Sequence, residues 1–343
     1  MRRRWWGARC PCLPGGYLVD PLLGIDGSLS PRLQEKTCRL VADVSFRKAR
    51  EHIKSLLGVA VSSKTIREYG ERNAATIAGW QTNETDSADS FAKAEGQWEL
   101  TVEAGKVNTR EKSWRDLKIA VVQKRPTGDA ATPDAWPSRV LPAASARVMW
   151  AEIATSQRFR RNWKTRLKRF GLPAMADLHV LGDGASWIWK SAEEVLTVCH
   201  QTLDIYHACE HIADAGKKLH GDGTAAAGAF FERGRSLLLG EGWTGICRLI
   251  GEEYVREDTP ARRVILEKLT RYFLSHRRRL GYAENLAAGQ SIGSGVVEGA
   301  AKTLGLRLKA RGARWKHKNV RAIAALVCVR NGAEWSSFWT KAG

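Results

Sequence analysis

Hydrophobic residues recur at helical spacing between residues 31 and 75, and this pattern predicts three helices. The first begins after Ser30 with a proline at its first position. The second lies between Ser45 and Gly58, residue types that favour the start and the end of a helix. The third is the stretch SKTIREYGERNA. We interpret Ala74 to Lys93, which has few large apolar residues, as a helix tail and a linker.

The second and third of these helices, joined by a turn that contains glycine, match the helix-turn-helix pattern. In that interpretation Lys64, Arg67 and Arg72 lie on the exposed face of the second helix of the motif and contact DNA. The alternative is a helical hairpin that packs on another part of the protein.

From residue 97 onward the pattern changes to short β-rich runs separated by helical segments. The expected strands are QWELTVEAGKV, LKIAVVQKR, VMWAEIA, DLHVLGDG and HQTLDIYH. Helices are expected at SQRFRRNWKTRLKRFG and SWIWKSAEEVL. Three strands, helix, strand, helix, strand is the order expected for an RNase H-like α/β domain. An all-helical insertion follows, and then a last helix that is entered through glycines and carries Glu298 near its start.

These patterns predict an α/β protein with an RNase H-like core, an all-helical insertion and an N-terminal helical unit. The expected segments are a cysteine-containing arm at 1–30, a helix-turn-helix-like unit with linker at 31–93, the first part of the core at 94–207, the insertion at 208–288, and the final helix with a basic C-terminal part at 289–343.

The net charge points to a polyanionic partner. Lys and Arg number 55 against 36 Asp and Glu, a formal charge of +19. The surplus is concentrated in the stretches 158–169 and 302–321, which contain no acidic residue. Because basic side chains displace the counterions of phosphates, such runs favour nucleic acid over charge for solubility alone. Neither a membrane-spanning run nor a signal peptide is visible, and the seven scattered cysteines favour a reduced, cytoplasmic protein.

Two pairs of residues could suggest zinc, and we expect zinc at neither. Cys10 and Cys12 are spaced C-x-C with no second pair nearby, so an arm is favoured over half of a broken zinc ribbon. His207 and His211 stand four residues apart with Glu210 between them, which is not the H-E-x-x-H order of zinc proteases. A structural or DNA-contacting role is favoured for these histidines.

Four acidic residues fall at chemically useful places on the expected fold. Glu103 is expected at the end of the first strand, Asp183 at the end of the fourth, Asp204 in the fifth and Glu298 on the last helix. Each alone is an ordinary turn, cap or helix-start residue. Together they would form a cluster that holds two Mg²⁺ ions for phosphodiester cleavage. The glycines beside Asp183 are expected to let the substrate backbone approach closely.

Several segments resemble bacterial insertion-sequence DDE transposases of the ISKra type, which are distantly similar to Mutator-like elements. The similarity covers the chain from about residue 15 to the C-terminus. The segments are GDGASWIW, LDIYHACEH, IGSGVVEGAAKTLGLRLKARGARW, VEAGKVNTREKSWRDLKIAVV and SPRLQEKTCRLVADVSFRKA. By motif, Asp183 corresponds to the second catalytic acid, Glu298 to the third, and Asp204 with His207 to a D-x-x-H element.

The resemblance implies a reaction and its partners. The enzymes hydrolyse element ends and then join the 3′-OH to target DNA, with Mg²⁺ as cofactor and Mn²⁺ as a substitute. Double-stranded DNA, both the element terminal repeats and the target, would be the partner. The protein would act as a homo-oligomer on that DNA, in the nucleoid.

The sequence departs from the family at the first acid, where Glu103 stands in place of aspartate in the pattern V-D-A/G-G-K-V-N-T. The longer side chain moves the carboxylate by about one bond, and about 1 Å of misplacement can cost about 100-fold in rate. We therefore predict that Glu103 acts as an altered metal ligand and that transposition is impaired. A catalytically inactive relic that binds DNA is the alternative.

Basic residues after Glu298 are expected to contact DNA, and the first three of them to hold the cleaved strand beside the metals. They are Lys302, Arg307, Lys309, Arg311 and Arg314. Trp315 lies among them, and the mixture suits phosphate contacts combined with stacking on an unpaired base. A tryptophan that anchors the last helix to the core is the alternative for Trp315.

Overall fold

The computed structural model describes residues 28–172, 177–196, 199–256, 259–310 and 312–342, together with the backbone of 5–6 and 16–17. The two short pieces pair as antiparallel strands β1 (Trp5–Trp6) and β2 (Gly16–Tyr17). Cys10, Cys12 and Arg311 lie outside the described residues, so the expectations for them remain predictions.

The N-terminal helices begin and end where local rules place them. They are α1 (Pro31–Asp43), α2 (Phe46–Leu57) and α3 (Ser63–Asn83). The Ser30 hydroxyl accepts from the Leu33 N–H, and the Ser45 hydroxyl accepts from the Lys48 N–H. Gly58 ends α2 in the left-handed conformation at φ 65°. The expected caps of α1 and α2 are thus confirmed.

The expected linker is wrong between residues 86 and 93, where the chain forms a further helix, α4 (Asp86–Lys93). One large apolar residue holds this helix, because the Phe91 ring is 1% exposed and stacks on Trp98 with ring centres 4.7 Å apart. A single anchor gives no hydrophobic periodicity, which is why the sequence pattern did not reveal the helix.

A five-stranded mixed sheet forms the centre of the protein. Its strands are β3 (Gln97–Thr109), β4 (Ser113–Arg125), β5 (Ala146–Ile153), β6 (Leu178–Gly182) and β7 (Cys199–Leu203). Their spatial order is β5-β4-β3-β6-β7, with β3, β4 and β5 antiparallel and β3, β6 and β7 parallel. Helices α5 (Ser156–Arg169) and α6 (Ser186–Val195) connect the last three strands. The predicted α/β class is confirmed, and so is the order of these elements.

The remaining regular elements of the described chain are helices. Those between β7 and the last segment are α7 (Ile205–His220), α8 (Ala225–Arg256), α9 (Pro260–His276) and α10 (Tyr282–Ala287). The last segment contains α11 (Gly295–Leu308), α12 (His317–Arg330) and α13 (Glu334–Ala342). Glu298 lies in the first turn of α11, as expected. In the described residues no helix is long and apolar enough to cross a membrane.

Both faces of the sheet are covered, because successive side chains of a strand point to opposite faces. Leu100 and Val102 of β3 belong to a core with α5, α6 and the helices that follow β7. Ile119 and Val121 of β4 belong to a second core with α1, α3, α11 and α12. Helix α11 therefore crosses the sheet face on which β3 carries its alternate residues Glu99, Thr101 and Glu103.

Candidate metal centre

Three acidic residues come directly after the point where three adjacent parallel strands stop pairing with one another. Val102 of β3 is opposite Gly182 of β6, and Gly182 is opposite Leu203 of β7. The next residues along the chain are Glu103, Asp183 and Asp204. Because the three strands are parallel, these acids emerge at the same end of the sheet.

Two of these acids lie in a different local setting from the one expected. Glu103 is in the middle of β3, which continues to Thr109 paired with β4 alone. Asp204 is not in a strand but is the N-cap of α7. Both differences arise because hydrophobic alternation marks where a strand lies better than where it ends.

One oxygen of Asp183 is held by its own loop. Its Oδ1 accepts from the Ala185 N–H at 2.9 Å, at the start of α6. Asp183 therefore keeps a fixed orientation while its second oxygen stays available for another partner.

The expectation that glycines beside Asp183 admit substrate is wrong, because protein side chains already fill the space. A Cβ on Gly182 would lie 3.0 Å from Ile188 Cδ1. A Cβ on Gly184, whose φ is +94°, would lie 3.0 Å from the Tyr272 hydroxyl. The two glycines let α6 and α9 pack closely against the Asp183 loop.

Asp204 is fully buried and ties three segments together. Its Oδ1 accepts from the His207 N–H at 2.9 Å, which caps α7. Its Oδ2 accepts from the backbone N–H of Ser294 and from the Ser294 hydroxyl, the latter at 2.8 Å. Ser294 is the residue before α11, so Asp204 fixes the start of the helix that carries Glu298.

The closest set of metal-binding atoms combines Asp204, His207 and Glu298. One donor atom from each lies within 4.8 Å of the other two. Asp204 is buried, His207 is half-buried and Glu298 is exposed, so the set opens from the interior toward solvent. Two carboxylates and an imidazole at this spacing can hold one divalent cation. The sequence predicted that Asp204 and His207 would lie outside the set of metal ligands. In the structure their donor atoms lie in the same set as that of Glu298.

Electrostatics links this set to the other two acids. Burial raises the pKa of Glu103, and the carboxylates of Asp183 and Glu298 raise it further. Burial also raises the pKa of Glu298, with Asp204 adding to the effect. Burial alone would lower the pKa of His207, but the Asp204 carboxylate and the contact with Glu210 outweigh it and raise that pKa. The acids repel one another, and a bound cation would relieve this repulsion.

Sequence reasoning missed two residues that reach Asp183 from elsewhere. Tyr272 of α9 places its buried hydroxyl against Gly184, and that oxygen has no hydrogen-bond partner in the described structure. Burial, and then the charge of Asp183, raise the pKa of Tyr272, so the phenol keeps its proton. Only the fold brings α9 to this loop, and no local sequence signal marks Tyr272.

Lys118 of β4 is the second of these residues. It is 4% exposed, its ammonium lies 3.9 Å from the centre of the Trp187 ring, and its charge interacts with that of Asp183. A sequence signal did exist here, because Lys118 continues the alternation of the buried residues Ala120 and Val122. His211, the other histidine considered for zinc, stacks on Tyr272 with ring centres 3.5 Å apart.

The side chains expected to contact DNA divide into an exposed and a buried group. The exposed ones are Lys64, Arg67, Arg72, Lys302, Lys309 and Arg314. Arg307 is 4% exposed and donates through Nε to the Val41 carbonyl, and Trp315 is 7% exposed and donates through Nε1 to the Leu308 carbonyl. Because both side chains are enclosed by protein, the core-anchor alternative describes Trp315, and the DNA-contacting expectation for these two residues is not supported by their positions.

A basic groove of about 650 Å³ joins the N-terminal helices to the segment after α11. Cationic residues from both regions and from the tip of the β3–β4 hairpin outnumber the two glutamates, Glu68 and Glu71, that also line it. They are Arg67, Arg110, Arg314, Lys316 and Lys318. The tip of the β3–β4 hairpin is fixed to this segment, because the Arg110 N–H donates to the Trp315 carbonyl at 2.8 Å. The groove is therefore built jointly by residues distant in sequence.

Two comparisons with known proteins found no match. No protein-family model matches the chain, and no curated protein matches it either.

Proposed function

We propose that this protein is a DDE-type transposase that cleaves phosphodiester bonds at DNA ends with divalent metal and joins the 3′ ends to target DNA. In this proposal the mixed sheet and its covering helices are an RNase H-like core, and α2 and α3 are a helix-turn-helix unit. The observation that carries the proposal is the convergence of Glu103, Asp183 and Asp204 at one end of three adjacent strands, with Glu298 on the helix that crosses them.

The residues present fit a divalent cation. Glu103 Oε2 is buried without a hydrogen-bond partner in the described structure, a costly state that a cation would relieve. Glu103, Asp183 and Glu298 offer oxygen atoms alone, which suit Mg²⁺. The set of Asp204, His207 and Glu298 includes an imidazole nitrogen, which suits Mn²⁺ and other transition metals better. Bound metal would activate the attacking oxygen and stabilise the leaving one.

The chain's own residues would orient the acids and the DNA. The Ala185 N–H fixes Asp183, and Ser294 fixes Asp204. Lys302 and Lys309 would hold phosphates of the cleaved strand beside Glu298, since both are exposed on the same helix or at its end. The basic groove with Arg67 and Arg314 would bind the part of the DNA duplex that extends beyond the acids.

A second candidate is a catalytically inactive relative that binds DNA and represses or competes. The identity of Glu103 favours it, because this side chain is one bond longer than the aspartate of the resembled family. The same basic surfaces would serve both candidates, so only a cleavage assay separates them.

The proposal is tested by nicking of supercoiled plasmid in Mg²⁺ and in Mn²⁺ by wild type, Asp183→Ala and Glu103→Asp. Asp222→Ala is the matched control, because Asp222 is an exposed acid in the loop after α7. We expect wild type to cut slowly, Glu103→Asp to cut faster and Asp183→Ala to lose about 10³-fold, a typical cost of removing one essential electrostatic group.

Three other results would change or contradict this proposal. If only Glu103→Asp cuts, the protein is a transposase disabled at one ligand, and DNA binding is its present role. If no variant cuts while plasmid is still retarded in gels, the DNA-binding candidate replaces the enzyme. If Asp222→Ala loses as much as Asp183→Ala, the loss reports folding rather than the acids.

A further inference from the structure

A second cavity with basic residues on its wall lies beside the basic groove. It has a volume of about 470 Å³ and lies between α3, the end of β5 and the first turns of α5 and α12. Arg158, Lys318 and Arg321 line it, and Lys318 lines the basic groove as well. Small residues of α3 leave its centre open, since a Cβ on Gly79 would meet nothing within 4 Å. The two basic spaces are therefore continuous at Lys318.

One acid also lines this second cavity, and the fold supplies its partners. Glu152 is 9% exposed, and its two oxygens accept from Asn162 Nδ2 at 2.9 and 2.8 Å. The guanidinium of Arg166 lies 3.7 Å from one of these oxygens. The charge that the cavity offers to a ligand is therefore positive.

Helix α5 extends this positive charge along the β5 edge of the sheet. Its exposed cations are Arg158, Arg161, Lys164 and Lys168. They are three, three and four residues apart, so they share one face of the helix and span about 15 Å. The apolar residues Phe159, Trp163 and Leu167 lie on the other face and are at most 2% exposed. The helix contains no acidic residue.

The exposed cations of α5 and of the cavity wall form a surface without acidic partners, which we call the β5-edge surface. It consists of Arg158, Arg161, Lys164, Lys168, Lys318 and Arg321. None of the six has an ion pair in the described part of the chain, whereas Arg233, Arg235 and Arg248 of α8 are each paired with a glutamate. Like charges three or four residues apart on a helix repel one another. A polyanion bound to this surface would relieve that repulsion.

The β5-edge surface begins at the end of the sheet that carries the acids. Ile119 of β4 is opposite Glu103. Two residues away on β4, Leu117 is opposite Ile153, the last residue of β5, and α5 begins at Ser156. Only β4 separates β3 from β5, so these two strands are about 10 Å apart. A duplex bound at the acids therefore comes within reach of this surface.

We propose that the β5-edge surface binds the phosphates of a DNA duplex, and that this duplex is continuous with the one in the basic groove. The inference rests on the proposed function, since it extends the DNA partner of that function to a further surface. Single strands are bound by stacking on aromatic rings. The rings of α5 are buried, and α12 has no Phe, Tyr or Trp. A membrane is disfavoured for the same reason, because a helix that lies in a membrane surface exposes its apolar face.

The test measures binding of a duplex DNA of mixed sequence in EDTA, where no metal-dependent cleavage occurs. Fluorescence anisotropy gives the binding constant between about 50 and 200 mM salt. The variant Arg158→Gln with Arg161→Gln and Arg321→Gln removes three charges and keeps good helix formers at all three positions. We expect the slope of log K against log salt to fall by about 3, since each phosphate contact contributes about 0.9. The loss should be equal for duplexes of unrelated sequence, because phosphate contacts carry no sequence information.

The matched control is Arg233→Gln with Arg235→Gln and Arg248→Gln. It removes the same three charges, but from arginines of α8 that are already paired with glutamates. We expect the control to keep the wild-type slope. An equal fall in both triple variants would show that net charge alone sets the slope, and an unchanged slope in both would show that the duplex does not reach the surface. Either result overturns the inference.

Further measurements identify the partner and separate this inference from the proposed function. Duplex RNA and single-stranded DNA of the same length are titrated in the same way, and a larger fall in slope for either would overturn the assignment to duplex DNA. If wild type cuts plasmid but the first triple variant keeps the slope, the inference fails although the enzyme stands. If the slope falls as expected and wild type does not cut plasmid, the β5-edge surface stands and the catalytic proposal fails.

Discussion

Strand β3 carries two glutamates on the same face, and the protein neutralises only one of them. Glu99 is 5% exposed, and its Oε2 accepts from Arg125 and from Gln123, each at 2.6 Å. Glu103, four residues later, has a buried oxygen with no partner in the described structure, and its pKa is raised by burial and by Asp183 and Glu298. A buried carboxylate needs a cation. Glu99 has one within the fold, whereas under the proposed function a bound metal ion would supply the one for Glu103.

The largest effect on stability should come from removing the charge of Glu99, the neutralised glutamate. In Glu99→Gln the guanidinium of Arg125 stays buried without its counter-charge, near the cationic Arg139 and Arg147. We expect a loss of about 3–5 kcal/mol in the free energy of unfolding, measured by urea denaturation. Glu103→Gln, measured in EDTA, is the control and should lose nothing. Equal losses in both variants would remove the distinction between the two glutamates.

The next effect concerns metal binding by the set of Asp204, His207 and Glu298. His207→Ala removes the imidazole from the set with Asp204 and Glu298. We expect affinity for Mn²⁺ to fall about 10- to 100-fold and affinity for Mg²⁺ to fall less, since Mg²⁺ prefers oxygen. Titration calorimetry on metal-free protein measures both. His52→Ala, at an exposed position of α2, should change neither, and equal losses for the two metals would argue against a nitrogen ligand.

A smaller effect is expected at the Tyr272 hydroxyl. Because this oxygen has no protein partner in the described structure, Tyr272→Phe should leave the melting temperature unchanged or raise it. We nevertheless expect nicking to slow about tenfold, because the variant has no hydroxyl beside Asp183 that could donate to bound substrate. Tyr254→Phe, on the exposed side of α8, is the control. A lower melting temperature with an unchanged rate would give Tyr272 a packing role only.

The smallest effect is the pH dependence of stability due to Glu103. Its folded-state pKa is raised above the ordinary 4.5, so the folded protein binds this proton more tightly than the unfolded chain. The contribution of Glu103 to stability is therefore greatest below about pH 4.5 and declines as pH rises through the raised pKa. In metal-free protein Glu103→Gln should remove this decline. Thermal melts between pH 4 and 8 measure it, and parallel curves for the two proteins would contradict the raised pKa.

Much of the local structure could be predicted, because the physics that sets it is local. The caps of α1 and α2 depend on residues within one turn of Ser30, Ser45 and Gly58. The order of strands and helices followed from hydrophobic spacing, and so did the position of Glu298 in the first turn of α11. Helix α4 was missed because Phe91 alone anchors it.

The candidate site could be predicted only in part, since its details depend on contacts distant in sequence. Asp183 was identified from its place after a strand, but the glycines around it pack against Ile188 and Tyr272, which no local pattern reveals. Asp204 and His207 join Glu298 because Ser294 binds the Asp204 carboxylate across 90 residues of sequence. A charged lysine at a buried strand position, Lys118, was a visible signal that could have been used.

The acids come from positions 103, 183, 204 and 298 of the chain, so the ribosome makes Glu298 last. The three acids at the sheet are made well before α11, and a chain whose synthesis or integrity stops short of α11 lacks Glu298, Lys302 and Lys309. Such a fragment would hold the repelling carboxylates without the helix that completes the metal set. Under the proposed function, a nascent or broken protein of this kind would not cut DNA, and cleavage would be restricted to molecules translated almost to their end.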